Sequence, residues 1–191
     1  MVAAKVIVCT KCPLSKTRKK AVPGEGNSDA KITLIGEAPG QSEDIEGRPF
    51  VGAAGKFLET LLGEIDLSRE DVFICNVVKC RPPRNREPRP NEIRTCTPYL
   101  KRQIKIVQPR CIVTLGSHST AYIFSKADLP FDGITLARGK FYEASILGLR
   151  VTIFPTFHPA AALYSAKYGK RLIDDFQILG SELAKRRLVN R

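Results

Sequence analysis

Short apolar runs alternate with amphipathic stretches along most of this 191-residue chain. Four of the runs have the length and the β-branched character of buried strands. They lie at about residues 31–35, 72–78, 111–115 and 150–154. Between and after them, apolar residues recur at helical spacing near residues 53–65, 91–107 and 117–124 and in a terminal helix after residue 159. This alternation predicts an α/β fold with three layers, α/β/α, around a central four-stranded parallel sheet.

The remaining segments complete the predicted architecture. We expect one domain over residues 1–191, because the length suits a single core and no interdomain linker interrupts the pattern. Asn91 is the expected N-cap of the second helix. A hairpin is expected around residues 134–146, with Gly139 near its first bend. Residues 1–30 could bury little core alone and are expected to form an arm.

The ends of the predicted strands carry the most informative residues. The first strand runs into the loop Gly36-Glu37-Ala38-Pro39-Gly40, the second carries Asn76, and the fourth precedes His158-Pro159. In a parallel sheet these ends share one edge, where α/β proteins bind ligands. The sequence therefore predicts one cleft that holds a glutamate, an asparagine and a histidine.

Each of these residues also has an ordinary structural interpretation. Glu37 could be a solvated loop acid, and His158 could hydrogen-bond a loop. Asn76 is harder to explain structurally, because asparagine is disfavoured in strands and a buried amide needs partners. Phe50, between Pro49 and Val51, could be core or a stacking wall. His118, at the start of a helix, is most simply a solvated histidine.

The charge balance indicates a polyanionic partner. The chain has 31 Lys and Arg against 19 Asp and Glu, which gives a formal net charge of +12. The basic residues cluster at 16–20, 81–89 and 185–191, which favours nucleic acid over an unspecialised basic surface. No apolar run approaches the ~20 residues of a membrane span, and the N-terminus does not read as a secretory signal. We therefore expect an intracellular, cytoplasmic protein.

Four of the six cysteines have the positions of metal ligands. Cys75 and Cys111 lie in predicted strands, where free cysteine is usually a small buried hydrophobe. The other four could tie the N-terminal arm to the loop and helix after the second strand. They are Cys9, Cys12, Cys80 and Cys96. Four thiolates suit either zinc or an iron–sulfur cluster, and the spacing does not separate the two.

These motifs together resemble the family 4, iron–sulfur uracil-DNA glycosylases of archaea and thermophilic bacteria. The resemblance covers nearly the whole chain, from Cys9 to the terminal helix. It is carried by Cys9-x-x-Cys12, Gly36-Glu37-Ala38-Pro39-Gly40 with Glu43-Asp44, Gly47-Arg48-Pro49-Phe50-Val51-Gly52, Asn76-x-x-Lys79-Cys80-Arg81-Pro82-Pro83, Cys96, Arg138-Gly139-Lys140 and Phe157-His158-Pro159-Ala160. One motif alone would be weak, but all of them in this order are specific.

The resemblance implies a DNA repair enzyme of base excision repair, which flips uracil out of DNA and hydrolyses its N-glycosidic bond to leave an abasic site. It implies that Phe50 stacks on uracil, Asn76 reads its polar edge and Glu43 excludes the methyl group of thymine. His158 would stabilise the departing base, and Glu37 would stabilise the sugar cation or orient water. The loop residues Gly36, Ala38 and Gly40 would form one wall of the uracil pocket.

The resemblance further implies contacts to the DNA and a cofactor. We expect Arg81, Arg84, Arg86 and Leu163 to contact DNA, either single- or double-stranded. The family favours a structural [4Fe–4S] cluster over zinc at the four cysteines. We expect a monomer associated with the nucleoid, with a sliding clamp as a candidate partner of the basic tail. A single Met in the chain weakly indicates a thermophile.

Two departures from the family pattern stand out. The best-known uracil glycosylases have an aspartate where this chain has Ala38, so the residue that activates water is open. They also have a leucine wedge where this chain has Ala162, which leaves Leu163 or Tyr164 for that role. Two other functions fit the charge and the cysteines: a metal-stapled nucleic-acid-binding module without catalysis, and a glycosylase for another deaminated base.

Overall fold

One mixed sheet organises the molecule, for which a computed structural model describes residues 2–188. The strands are β1 (Glu25–Gly26), β2 (Ile32–Gly36), β3 (Phe73–Asn76), β4 (Cys111–Leu115), β5 (Tyr142–Ile146) and β6 (Leu149–Thr156). They are hydrogen-bonded in the order β1-β3-β2-β4-β6-β5. The pairs in the centre, β3–β2, β2–β4 and β4–β6, are parallel, whereas β1 and β5 are antiparallel to their neighbours.

Helices cover both faces of this sheet. They are α1 (Val2–Ile7), α2 (Gln41–Glu46), α3 (Ala53–Gly63), α4 (Pro90–Val107), α5 (Ser117–Phe124), α6 (Ile134–Ala137) and α7 (Ala166–Lys185). Leu100 of α4 and Ile123 of α5 are buried in the apolar cluster on one face. Leu58 of α3 and Phe176 of α7 are buried in the cluster on the other face. Short 3₁₀ turns occupy Pro13–Lys16, Pro83–Asn85 and Pro159–Leu163.

The sheet is larger than predicted. It has six strands and is mixed, so the expected four-stranded parallel sheet describes only its centre. The two edge strands carry no strong sequence signal, for physical reasons. β1 has only two residues, and β5 alternates half-buried and exposed positions before it ends at the buried Ile146. Neither edge forms the continuous apolar run by which the central strands were predicted.

The hairpin prediction was wrong in its position. Residues 134–137 form α6, and the hairpin joins β5 to β6 through Leu147 and Gly148, which both have positive φ (56° and 83°). Gly139 instead donates its N–H to Pro155 O at the end of β6. The N-cap prediction for α4 was also wrong, since the helix begins at Pro90 and its N-cap is Arg89 rather than Asn91.

The N-terminal segment packs against the body through apolar contacts. Val6, Leu14 and Val22 are each at most 2% exposed. Val6 and Leu14 belong to the same apolar cluster as Leu100 of α4. Hydrogen bonds add to this packing, among them those from Val22 N–H to Lys79 O and from Lys20 N–H to Asp44 O. An arm held by metal stays a prediction. Among residues 2–188, no helix is long and apolar enough to cross a membrane.

Candidate active site

A cavity of about 330 Å³ opens where the carboxyl ends of β2, β3 and β6 meet. Its lining includes eight of the residues predicted from the sequence: Glu37, Ala38, Gly40, Glu43, Phe50, Asn76, Arg86 and His158. Pro39, Ala54, Pro82, Asn85 and Ala160 complete it. The parallel strand order brings these residues together, because β2 pairs with β3 on one side and with β4, next to β6, on the other.

Asn76 presents an unused acceptor to this cavity. The residue ends β3 and is 2% exposed, yet its Oδ1 accepts no hydrogen bond from any described residue. Gly36 lies opposite it in the sheet register. A Cβ at Gly36 would lie 2.4 Å from Asn76 Oδ1 and 2.7 Å from the ring of Phe50. Gly36 does not line the cavity, but the absence of its side chain makes room for both groups that do.

Phe50 is held in an unusual backbone conformation. Its φ is +51°, which is sterically costly for a bulky residue and needs support from neighbouring groups. Arg69 Nη1 donates to Phe50 O at 2.9 Å. The ring, which is 5% exposed, lies 5.6 Å from the His158 ring with an interplanar angle of 27°. The strained turn thus directs an aromatic face into the cleft beside the histidine.

Glu43 clamps two loops of the cleft together. One carboxylate oxygen accepts the N–H of Gly40 at 3.0 Å, and the other accepts those of Val51 and Gly52 at 2.9 and 3.0 Å. A carboxylate with three backbone donors is firmly oriented. This function of Glu43 was not predicted. A sequence signal for it exists, because a glutamate three residues after Gly40 occupies the N3 position of α2, but the residues of α2 were expected to form a loop.

His158 is arranged as a neutral hydrogen-bond donor. Its Nδ1 accepts the N–H of Ala160 at 3.1 Å. Burial lowers the pKa of His158 to about 4, against an opposing effect of the nearby Glu43 carboxylate. In a neutral imidazole one nitrogen accepts and the other donates, so the proton resides on Nε2.

Glu37 is the carboxylate of this cavity that the loops leave free. Burial raises its pKa, an effect that His118 opposes and Glu87 reinforces. His118 Nε2 lies 3.1 Å from Glu87 Oε1 and 3.9 Å from Glu37 Oε2. His118 and Glu87 were not predicted for the site. The former follows the end of β4, but nothing in the sequence paired it with Glu87.

The residues predicted to contact DNA differ in how many bonds their side chains make within the protein and in how exposed they are. Arg86 is paired to the buried Glu92 through both guanidinium Nη atoms, at 2.7 and 2.8 Å. Arg81 Nε donates to Asn85 Oδ1 at 2.7 Å. Arg84 is exposed on the 3₁₀ turn of the same loop. Leu163 is 53% exposed on the turn that follows His158. Arg81, Arg84 and Leu163 do not line the cavity.

A buried network supports the histidine loop from behind. Arg138 donates through Nε to Asp175 Oδ2 at 2.9 Å, and Thr156 donates to the same oxygen at 2.5 Å. Asp175 is fully buried in α7, and Thr156 ends β6 two residues before His158. The guanidinium also lies 5.2 Å from the centre of the Phe157 ring. Arg138 belongs to a motif noted in the sequence, but its buried partner could not be inferred there.

The four predicted ligand cysteines converge next to this cleft. All six cysteines lie in the described range and are free thiols, and Cys75 and Cys111 are buried as expected. Cys80 and Cys96 belong to one apolar cluster, against which Cys9 and Cys12 pack. Within residues 2–188, no three His, Cys, Asp or Glu side chains have the spacing of a formed metal site.

The electrostatics of these thiols nevertheless fit a common centre. Burial is the main cause that raises the pKa of Cys96 to about 11; Lys79 opposes this shift, and the neighbouring Cys80 and Cys12 contribute to it. The pKa of Cys80 is also raised by burial, with smaller contributions from Cys12 and Cys9, while Arg18 opposes the shift and donates to its Sγ at 3.0 Å. The donor set is all sulfur, which suits zinc or an iron–sulfur cluster and no hard cation.

Comparisons with known proteins point to one family. The family model described as the uracil DNA glycosylase superfamily matches residues 23–177. The chain is 54% identical over 187 residues to the Type-4 uracil-DNA glycosylase of Saccharolobus solfataricus, across 97% of this chain and 87% of the relative. It is 56% identical to that of Sulfurisphaera tokodaii, across 90% and 79%, and 44% identical to that of Archaeoglobus fulgidus, across 97% and 93%.

Proposed function

The chain belongs to the Type-4 uracil-DNA glycosylases of the uracil-DNA glycosylase superfamily, and from this premise we propose how its cleft excises uracil. The enzyme is a DNA repair glycosylase that hydrolyses the N-glycosidic bond of uracil in DNA. One observation carries the assignment of roles: the unpaired acceptor of Asn76 and the neutral His158 line the same cavity. A flipped base is the ligand that this combination suits.

Asn76 and Phe50 recognise the base. The Asn76 Oδ1 accepts the imide N–H of uracil, and its amide N–H donates to the adjacent carbonyl oxygen. The bond satisfies a buried acceptor that otherwise has no described partner. The Phe50 ring stacks on the pyrimidine face. The loop residues Ala38 and Gly40 form the remaining wall, and Gly36 at the end of β2 leaves room for Asn76 and Phe50. Glu43 fixes the geometry of this wall through three backbone N–H groups.

His158 stabilises the leaving group. As the glycosidic bond breaks, negative charge grows on the uracil oxygen that faces the histidine. A neutral imidazole whose Nδ1 is occupied by Ala160 N–H donates to this oxygen through Nε2. A donor that is already uncharged in the free enzyme can serve across the neutral pH range.

Glu37 acts on the sugar. The departure of the base leaves an oxocarbenium-like deoxyribose, which a carboxylate stabilises and which water then attacks. Ala38 offers no acid, and the Glu43 carboxylate is engaged by three backbone donors. Glu37 is therefore the group that we assign to orienting the water and balancing the cation.

The exposed rim binds the DNA strand. Arg84 contacts phosphate as a free cation, whereas Arg81 and Arg86 order the loop that carries it. Leu163, or the adjacent Tyr164, which is 88% exposed, fills the space that the flipped base leaves. The enzyme acts as a monomer at the nucleoid on single- and double-stranded DNA. The basic tail that a sliding clamp would bind includes residues 189–191, which lie outside the described residues.

The four convergent cysteines hold a [4Fe–4S] cluster in this proposal, with zinc as the alternative occupant. Cys9, Cys12, Cys80 and Cys96 would be its ligands, as thiolates. When bound, the group supplies a structural cross-link and takes no part in the hydrolysis. It joins the N-terminal segment to the loop and to α4, beside the arginines that face DNA.

The assay for this proposal uses oligonucleotides that carry one uracil, in single strands and opposite guanine or adenine, followed by alkali to cleave abasic sites. We expect strand cleavage at the uracil and none in matched oligonucleotides that carry thymine. The Asn76→Ala variant should lose most of this activity. Equal cleavage at thymine, or none at uracil by folded protein, would contradict the assignment, and cleavage only at other deaminated bases would redirect it.

A further inference from the structure

Lys79 is a buried cation to which the mechanism gives no role. Its side chain is 1% exposed, in the loop between β3 and Cys80. The ammonium donates to Asn76 O at 2.7 Å. It also opposes the effect of burial, which raises the pKa of the Cys75 thiol. Within residues 2–188, no carboxylate lies within ion-pair distance of it. Neither the Asn76 carbonyl nor the neutral Cys75 thiol carries a negative charge that could compensate the ammonium.

An isolated charge in a protein interior is costly unless an opposite charge lies near it. The neighbouring groups that could supply one are thiols. The backbone N–H of Lys79 donates to Cys96 Sγ at 3.2 Å, and the next residue is Cys80. The charge of Lys79 also lowers the pKa of the Cys96 thiol, in opposition to burial. Thiols become anionic when they ligate a metal, which places negative charge beside this lysine.

We propose that Lys79 is the internal counter-ion of the four-cysteine centre and, through its bond to Asn76 O, a positioning residue for the uracil-reading amide. The proposal rests on the metal centre assigned above to the four cysteines. In this proposal, the Lys79 side chain physically connects the four-cysteine centre with the end of β3 that binds uracil. Loading of the centre would keep the ammonium in place, and the ammonium would keep the end of β3 in place.

Two variants separate the charge from the hydrogen bond. Lys79→Met removes both, whereas Lys79→Gln removes the charge and keeps an N–H donor on a side chain that is one bond shorter. Each protein is purified with its native centre, and iron, sulfide and zinc are quantified. Release of the metal to a chelator, the reduction potential of the centre and the denaturant midpoint are then measured, the last with and without metal.

We expect both variants to release metal on the order of tenfold faster than the wild-type protein, as for loss of other groups that support ligands. The reduction potential should shift to more negative values in both, because the cation favours the more negative, reduced form. The denaturant midpoint should fall for the loaded protein only, and the metal-free variants should be at least as stable as metal-free wild type. Only Lys79→Met should also bind a uracil-containing strand more weakly.

A purely structural lysine would give a different pattern. It would lower the midpoints of loaded and metal-free protein equally and leave the metal release and the potential unchanged, and that result would overturn the proposal. If a variant does not fold, an experiment on the wild-type protein tests the proposal instead. Removal of the metal should shift the NMR signals of the Asn76 side-chain amide. Unchanged signals would show that Lys79 does not connect the metal centre with Asn76.

Two further results would show that the proposed metal centre or the glycosylase assignment is wrong, rather than the assigned function of Lys79. Wild-type protein without iron, sulfide or zinc would refute the metal centre, and with it the counter-ion. Wild-type protein that holds metal but does not release uracil would refute the glycosylase assignment alone. Zinc in place of iron leaves the metal-release and stability measurements valid, since four thiolates still surround the ion.

Discussion

Individual side chains in the cleft are available to a ligand because each keeps a hydrogen-bonding group without a partner among the described residues. Asn76 keeps a buried acceptor free, and His158 keeps its Nε2 proton free because Ala160 occupies Nδ1. Gly36 contributes by having no Cβ, which would overlap both Asn76 and Phe50. The site is therefore preorganised for a planar ligand with alternating donors and acceptors, and it does not have to break internal bonds to admit one.

The protonation of His158 gives a test at this scale. Its pKa of about 4 lies below the usual value of 6.5, so the ring stays neutral as the pH falls from 8 to about 5. Since the unfolded chain takes up this proton near pH 6.5 and the folded chain only near pH 4, the ring makes the fold less stable as the pH falls through that interval. NMR titration of the ring should show no midpoint between pH 8 and 5.

The signal can be assigned because the chain has only two histidines. The His118→Gln variant leaves His158 as the single ring to follow, and it retains the contact between Nδ1 and Ala160. A midpoint close to 6.5 would show that the imidazole is hydrated and would remove the basis for a neutral donor. If no midpoint appears between pH 8 and 5, a loss of glycosylase activity over that interval is assigned to Glu37, whose pKa is raised by burial.

At the scale of elements, α2 and the turn before α3 depend on one carboxylate. Glu43→Gln should lower the free energy of unfolding by about 2 kcal/mol, because the amide replaces one acceptor oxygen with a donor that faces backbone N–H groups. The variant should also excise uracil more slowly, since the Glu43 carboxylate fixes the residues next to Phe50. Urea unfolding and single-turnover assays measure the two effects.

Glu46→Gln provides the matched control for this substitution. Glu46 ends the same helix, is exposed and loses the same charge. It should change the free energy of unfolding by less than about 0.5 kcal/mol. Equal effects of the two substitutions would mean that net charge, rather than the three backbone bonds, accounts for the loss.

The elements also show which parts of the fold sequence patterns can predict. The run Cys111–Leu115 was predicted to the residue, because a fully buried parallel strand is continuously apolar. The short helix α2 was missed, since its stabilising bonds link Glu43 to residues eight and nine positions further on as well as to Gly40. The hairpin was misplaced because its turn uses Leu147 at positive φ, which no sequence rule favours.

For the site as well, some features could be predicted from the sequence and others could not. The rule that parallel strands end at one edge was sufficient to bring Glu37, Asn76 and His158 to one cavity. The sequence could not show which bonds each group makes there. Nothing in the sequence indicated that Arg86 pairs with the buried Glu92, and its expected contact with DNA stays a prediction. Such pairings depend on side-chain positions across distant segments, which hydrophobic periodicity does not encode.

At the scale of the whole molecule, the surplus of positive charge should make DNA binding strongly dependent on salt. The logarithm of the binding constant should fall linearly with the logarithm of salt concentration, as phosphate contacts release counterions. Arg84→Ala should reduce the slope by about 1, since it removes one phosphate contact. Fluorescence anisotropy on an oligonucleotide that carries uracil, over a range of salt concentrations, measures both quantities.

Arg150 is the control for this experiment. It is also exposed, but it lies near the start of β6, at the end of the sheet away from His158. Arg150→Ala removes the same formal charge and should leave the slope unchanged. If both substitutions reduced the slope equally, net charge rather than a localised binding rim would attract the DNA.

The packing of the N-terminal segment on α4 also bears on how the protein is made. Translation produces residues 2–16 before α4, but Val6 and Leu14 pack in the same core cluster as Leu100 of that helix, which ends at Val107. At roughly 5–20 residues added per second, the segment waits several seconds for its partner. Cys9 and Cys12 leave the ribosome well before Cys80 and Cys96. If all four thiols hold the proposed cluster, it can be inserted only after Cys96 of α4 has emerged, and its delivery would be a late step in biogenesis.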